Sequence, residues 1–163
     1  MEIGIPKEIK NHEYRVGATP AMVKALILAG HTVLIEKEAG TAIGFTDQLY
    51  EQAGGQIVSS PKEVYQAEMI IKVKEPQPAE YPLLKKRQIL FCYLHLAPDP
   101  KQTAALLERK VIGIAFETVV DKQGRLPLLT PMSEIAGRIA VQAGATALHM
   151  VNGGRGVLLG GVP

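Results

Sequence analysis

The chain has 163 residues, of which 47% are hydrophobic and 21% charged, with a formal net charge of +2. That length suits one ordinary domain, and a domain of this size buries roughly 70% of its unfolded surface. The weak charge, with no basic run longer than Lys85-Lys86-Arg87, and an aromatic content of 5% exclude a nucleic-acid footprint or a base-stacking platform.

In chain order, "EIGIP" (2–6) is an apolar run closed by proline and reads as a first strand. A polar loop, "KEIKNHEYRVGA", follows. "TPAMVKALILAG" (19–30) reads as a helix, with Thr19 as cap, Pro20 in the first turn and Gly30 just past the end. "HTVLIEK" (31–37) is a strand, "DQLYEQAG" (47–54) a short helix and "QIVS" a short strand. "SPKEVYQAE" (60–68) opens on Ser60-Pro61 with Glu63 three residues after the serine, the pattern of a capping box. "MIIKVK" (69–74) and "QILFCYL" (88–94) are strands, and Lys72 reads as an edge-facing charge. "DPKQTAALLERK" (99–110) is a helix capped by Asp99, and "VIGIAFE" (111–117) a further strand.

Strands and helices thus alternate, and the strands are continuous apolar runs. The pattern predicts an α/β domain with a mostly parallel sheet covered by helices on both faces, flavodoxin-like or Rossmann-like. "TPMSEIAGRIAVQAGATALHM" (130–150) reads as a longer connecting helix, with Ile135, Ile139 and Ala143 at helical spacing. The glycine-rich "NGGRGVLLGGVP" reads as a linker towards a further domain. The expected organisation is a domain over 1–129 and a connecting helix with linker over 130–163.

Cys92, the single cysteine, lies inside "ILFCYL" and reads as a buried structural thiol. No Cys/His cluster has metal-ligand spacing, so no metal is expected. The N-terminus lacks a signal-peptide pattern, and no stretch approaches the ~18–20 apolar residues of a membrane span. A soluble, cytoplasmic protein without membrane or nucleic-acid partners is expected. "GRGVLL" (154–159) is close to G-x-G-x-x-G, but Leu159 stands at the third glycine position and no strand–helix frame surrounds it.

In a parallel sheet the carboxyl ends of the strands share one edge, where ligands bind. Arg15 follows the first strand, Lys74 ends the 69–74 strand, and His95 follows the 88–94 strand. A guanidinium holds a carboxylate through two bonds, an ammonium polarises a carbonyl, and an imidazole moves a proton near neutral pH. Two cations and an imidazole suit a small 2-oxo or 2-amino acid. Taken singly, each residue also reads as a solvated strand-end charge, a turn histidine or a surface arginine.

"IGIPKEIKNHEYRVGATP", "AEMIIKVKEP", "ILFCYLHLAPD", "GIAFETV" and "LPLLTPMSEIAGRIAVQAGA" resemble the bacterial alanine dehydrogenases, over the whole chain and in that family's order. The resemblance implies NAD-dependent interconversion of L-alanine with pyruvate and ammonium. It makes Arg15 and Lys74 the substrate-binding cations and His95 the catalytic acid/base, and sets Met132 and Ser133 beside the cofactor. It also implies a homohexamer. Gly17 in "RVGATP" replaces a small apolar residue common in the family, which reads as a minor change. Family members are about twice as long, so the domain that mainly binds NAD, with its glycine fingerprint and an aspartate partner for the histidine, is expected past "LLGGVP". This chain alone is expected to be inactive. Two alternatives stand beside this reading: the NAD-binding component of a proton-translocating transhydrogenase, and a non-enzymatic regulatory domain that binds a small acid.

Overall fold

A computed structural model describes residues 1–161. The chain divides into two compact units, the first Met1–Glu117 and the second from Thr118 onward. The expected boundary after residue 129 falls within the second unit, and the end of the expected linker, residues 162–163, lies outside the described residues.

The first unit is built on six strands: β1 (Glu2–Ile5), β2 (Thr32–Glu36), β3 (Gln56–Val58), β4 (Met69–Ile71), β5 (Ile89–Cys92) and β6 (Ile112–Ala115). They form one sheet in the order β3-β2-β1-β4-β5-β6, and every pair is parallel. This is the strand order of a Rossmann-type sheet. The chain winds outward from β1 to β3, returns to the centre, and winds the other way from β4 to β6.

Helices α1 (Pro20–Leu28), α2 (Asp47–Gln52), α3 (Pro61–Val64) and α4 (Pro100–Arg109) lie between the strands. Two start as the sequence predicts. The Thr19 hydroxyl accepts from the Met22 N–H at 3.3 Å, and the Asp99 carboxylate accepts from the Gln102 N–H at 3.0 Å. Gly30, at φ 84°, turns the chain out of α1 in the left-handed conformation that glycine tolerates best. The capping box at Ser60 does not form as expected. The hydroxyls of Ser59 and Ser60 both donate to Glu63 Oε1, at 2.9 and 2.7 Å, and α3 runs for only four residues. Two side chains meeting each other leave the helical N–H groups without a side-chain cap, and so short a helix has little to propagate.

Side chains alternate across a strand, and the core divides accordingly. Ile71 joins Ile3, Ile5, Val33 and Ile35 with Val23 of α1 and Tyr50 of α2. Its neighbour Ile70 joins Leu90 and Cys92 with Val64 of α3 and Leu106 of α4. The two central strands β1 and β4 are thereby covered on both faces. β6 is not: Ile112 and Ile114 are 46% and 41% exposed, because an edge strand has one neighbour and α4 shields little of it.

The second unit carries α5 (Thr130–Leu148), which has no buried residue. Ile135 and Ile139 are 49% and 53% exposed, so the helical spacing that suggested packing positions is not used within this unit. The Thr130 hydroxyl donates to the Leu126 carbonyl at 2.9 Å. After α5 the glycine-rich segment folds back, with the Gly156 N–H donating to the Leu148 carbonyl at 2.8 Å. Residues 154–158 are irregular and follow a 3₁₀ turn at Met150–Asn152, with no strand before them in the second unit.

Candidate functional site

The winding reverses between β1 and β4, and a parallel sheet opens a crevice at the carboxyl ends of the strands at such a point. Three loops emerge there from the adjacent strands β1, β4 and β5. They carry Arg15, Lys74 and His95 respectively.

Arg15 is held by its own loop. Its Nε and Nη2 donate to the two oxygens of Glu13 at 2.8 and 2.7 Å, and its backbone N–H donates to Glu13 Oε1 at 3.0 Å. The Glu13 side chain is 7% exposed and that of Arg15 42%. Hydrogen bonds from Arg15 hold the Glu13 carboxyl below its usual range, and Lys74 adds to the lowering through its charge. Arg15 in turn is raised, first by the bonds to Glu13 and more weakly by the proximity of Tyr93 and Glu8. The Arg15–Glu13 pair thus lies within electrostatic range of Lys74 and Tyr93. A cavity of about 340 Å³ lies along residues 7–15, with Arg15, Glu13 and Glu8 in its wall; neither Lys74 nor His95 lines it.

Lys74, expected to end the 69–74 strand, stands three residues beyond the observed strand end, because β4 stops at Ile71. Pairing with β5 persists in weaker form, as the Lys72 N–H donates to the Phe91 carbonyl and the Tyr93 N–H to the Val73 carbonyl, both at 3.1 Å. Lys74 is half-buried, and its backbone N–H donates to Glu8 Oε1 at 3.3 Å.

Lys72 is the main departure from the sequence reading. It is not an edge charge but wholly buried, with Nζ 3.1 Å from Glu8 Oε2 and 2.9 Å from Glu80 Oε1. Glu80 Oε1 also accepts from the Tyr65 hydroxyl at 2.7 Å, and Glu80 Oε2 from the Gln77 N–H at 2.6 Å. Burial opposes the ammonium, but the two carboxylates outweigh it and raise the Lys72 pKa. Burial also pushes Glu8 up, against the pull of Lys72. An ammonium buried just past the end of a core strand requires such partners, since an unpaired buried charge is prohibitively costly.

His95 is exposed and adopts φ 47°. Its backbone N–H donates to Glu117 Oε1 at 2.6 Å, and that of Leu94 to Glu117 Oε2 at 3.2 Å. Gln102, 1% exposed, donates from Nε2 to the Leu94 carbonyl at 2.8 Å. The turn bearing His95 is thus gripped by the turn that follows β6 on one side and by α4 on the other. Phe116 packs edge-to-face on Phe91 and Tyr93, with centroids 4.3 and 5.1 Å apart.

Met132 and Ser133 lie in the first turn of α5, in the second unit. Met132 is half-buried and Ser133 exposed, and both backbone N–H groups donate to the Leu129 carbonyl. Gly17 is not a minor change. A Cβ there would stand 2.3 Å from the Ile71 carbonyl oxygen and 3.1 Å from Lys72 Cα. The bare glycine lets the Arg15 loop lie directly on the end of β4.

Sequence reading missed Glu8, Glu13 and Glu117. Their common signal is a carboxylate two to eight residues past an apolar strand, which is too frequent to be read without the fold. Among the described residues no group of His, Cys, Asp and Glu could hold a metal ion, and no helix is long and apolar enough to cross a membrane.

Comparison with known proteins places this arrangement in a family. The alanine dehydrogenase of Methanococcus maripaludis is 60% identical over 164 residues, which cover all of this chain and 44% of that protein. That of Staphylococcus haemolyticus is 56% identical over 163 residues, with the same coverage. A solved L-alanine dehydrogenase superposes with a TM-score of 0.87 at 58% identity, covering all of this chain and 45% of that one. The chain therefore spans less than half the length of these relatives. A transhydrogenase from Sinorhizobium meliloti shares the fold, with a TM-score of 0.70 at 24% identity over 75% of this chain and 36% of its own. The family description "Alanine dehydrogenase/PNT, N-terminal domain" matches residues 4–136, and with the parallel sheet and its loops in place the chain belongs to that family.

Proposed function

We propose that this chain supplies the substrate side of an NAD-dependent alanine dehydrogenase, which converts L-alanine, NAD and water to pyruvate, ammonium, NADH and a proton. The supporting observation is the meeting of the Arg15 and Lys74 loops at the reversal point of the sheet, with His95 on the next loop. Arg15 presents a guanidinium already oriented by Glu13, suited to the substrate carboxylate. Lys74, whose backbone is fixed by Glu8, is suited to the 2-oxo oxygen of pyruvate, where a positive charge favours ammonia attack on the carbon that bears it. His95 is suited to taking the proton from the attacking water or returning it to the leaving amine.

NAD is assigned mainly to the rest of the protein. The irregular 154–158 segment follows a 3₁₀ turn at Met150–Asn152, not the strand that leads into a phosphate cradle. Met132 and Ser133 are proposed to lie beside the cofactor. A cytoplasmic homohexamer with L-alanine and pyruvate as small-molecule partners completes the reading.

The test is made in the full-length protein. His95→Gln should lower alanine oxidation by roughly 10²–10⁴-fold, the size of general acid–base catalysis, with NADH affinity retained. Near-normal turnover in that variant would refute the role of His95, and absence of alanine oxidation in the unaltered protein would refute the activity.

A further inference from the structure

We propose that Glu8 is a positioning residue that sets Lys74 against Arg15 for the substrate, and that the buried Lys72 keeps the Glu8 carboxylate in that task; the proposal rests on the reading of Lys74 and Arg15 as substrate-binding groups.

Glu8 belongs to the same loop as Arg15, yet both of its oxygens are spent on the loop of Lys74. Oε1 accepts from the Val73 N–H at 2.6 Å and from the Lys74 N–H at 3.3 Å. Oε2 takes the Lys72 ammonium at 3.1 Å. The carboxylate is almost fully buried, with a side chain 2% exposed. One side chain thus ties two loops, 66 residues apart in sequence, through the backbone of the residue that meets the substrate. Further along, Glu80 holds the Gln77 N–H at 2.6 Å, and Lys10 pairs with Glu75. The 73–77 segment would otherwise be an irregular, proline-containing stretch free to move its lysine. The pairing with Glu8 and Glu80 explains why the Lys72 ammonium is buried just past the end of β4. Its charge compensates two carboxylates that have left water, so that Glu8 can stay an acceptor for two consecutive amides.

Glutamine at position 8 is frustrated either way round. With its oxygen towards the amides, its NH₂ faces the Lys72 ammonium. Turned over, its NH₂ faces two N–H donors. Aspartate keeps the charge, but one methylene fewer withdraws it from the amides.

In the full-length enzyme, Glu8→Gln and Glu8→Asp should raise the pyruvate KM by roughly ten- to a hundred-fold, as misplacement by about an ångström does. NADH binding should change by less than about twofold. Tyr65→Phe removes a donor to Glu80 at the far end of the same network. It should lower the melting temperature and leave the pyruvate KM in place, which separates positioning from general loosening. Folded Glu8→Asp or Glu8→Gln enzyme with an unchanged pyruvate KM overturns the proposal. Lys74→Ala is measured alongside. If it too leaves pyruvate untouched, the substrate role of Lys74 has failed; if it abolishes pyruvate binding while the Glu8 variants do not, only the positioning role has failed. Should neither Glu8 variant fold, hydrogen exchange in the unaltered enzyme decides. Val73 and Lys74 amides protected before pyruvate is added support a preset Lys74, and amides that exchange freely until pyruvate binds overturn it.

Discussion

Replacing Lys72 with methionine should remove a large share of this chain's stability. The ammonium sits 2.9 Å from Glu80 and 3.1 Å from Glu8, its own side chain is 0% exposed, and the two carboxylates are 5% and 2% exposed. Methionine fills most of the lysine stem, so little is lost from packing and the effect reports the charge. Removing one partner of a buried ion pair costs about 3–5 kcal/mol. Here two carboxylates lose the same partner, but each retains hydrogen bonds: Glu8 from Val73 and Lys74, Glu80 from Tyr65 and Gln77. The same range of about 3–5 kcal/mol is therefore expected, out of roughly 5–15 kcal/mol for a whole domain. With an m-value of about 2 kcal/mol/M, the urea midpoint of the 163-residue chain should fall by about 1.5–2.5 M. Far-UV circular dichroism is the probe, since the chain has no tryptophan. The deficit should shrink on acidification from pH 7 towards pH 4, as the stranded carboxylates take up protons. The combined variant Lys72→Met, Glu8→Gln, Glu80→Gln should recover part of the loss, with no buried charge left. A loss below about 1 kcal/mol, or one that does not vary with pH, would refute the assignment of Lys72 as compensating charge.

Gly17→Ala should cost about 1–3 kcal/mol in urea unfolding, because its Cβ meets the Ile71 carbonyl rather than a side chain that can swing away; an unchanged midpoint would show that the two segments part easily. Cys92 is fully buried, and burial pushes its thiol pKa far above the usual range. A thiol-reactive dye at pH 8 should therefore label it only after unfolding, and rapid stoichiometric labelling of the native chain contradicts this. The folded-state pKa of Glu13 lies below its ordinary value, lowered chiefly by its bonds to Arg15. Its contribution to stability is thus present above the ordinary glutamate pKa and lost as pH falls through the lowered one. Urea midpoints of Glu13→Gln should lie below those of the unaltered chain at pH 7 and converge with them in acid; a gap that persists there rules out the ion pair as its source.

Features decided by neighbours in sequence were legible. Thr19 and Asp99 cap α1 and α4 as their local patterns indicate, Gly30 ends α1, and the apolar runs of β1, β2, β4 and β5 became a parallel sheet. The loops carrying Arg15, Lys74 and His95 could be assigned to one edge, since topology alone decides that. What failed depends on partners remote in the chain. A lysine within "IIKVK" has no local sign of burial, because its acids are Glu8, 64 residues away, and Glu80 across a proline-rich loop. The turn at His95 is held by Glu117, 22 residues on. At Ser60 the local pattern was present, but the serine hydroxyls bonded to the glutamate side chain itself and the helix stayed short.

Glu8 and Glu117 each take hold of two consecutive amides, not of the side chains those residues carry. An N–H group is offered by every amino acid except proline, so the backbone frame at 73–74 and 94–95 is indifferent to which functional group is mounted on it. Only the left-handed backbone at position 95 narrows the choice, away from β-branched residues and towards glycine, asparagine, aspartate or histidine. A site built this way can exchange its reactive groups by single substitutions while the architecture stays still. That is the condition under which one ancestral sheet can give rise to proteins acting on different small acids.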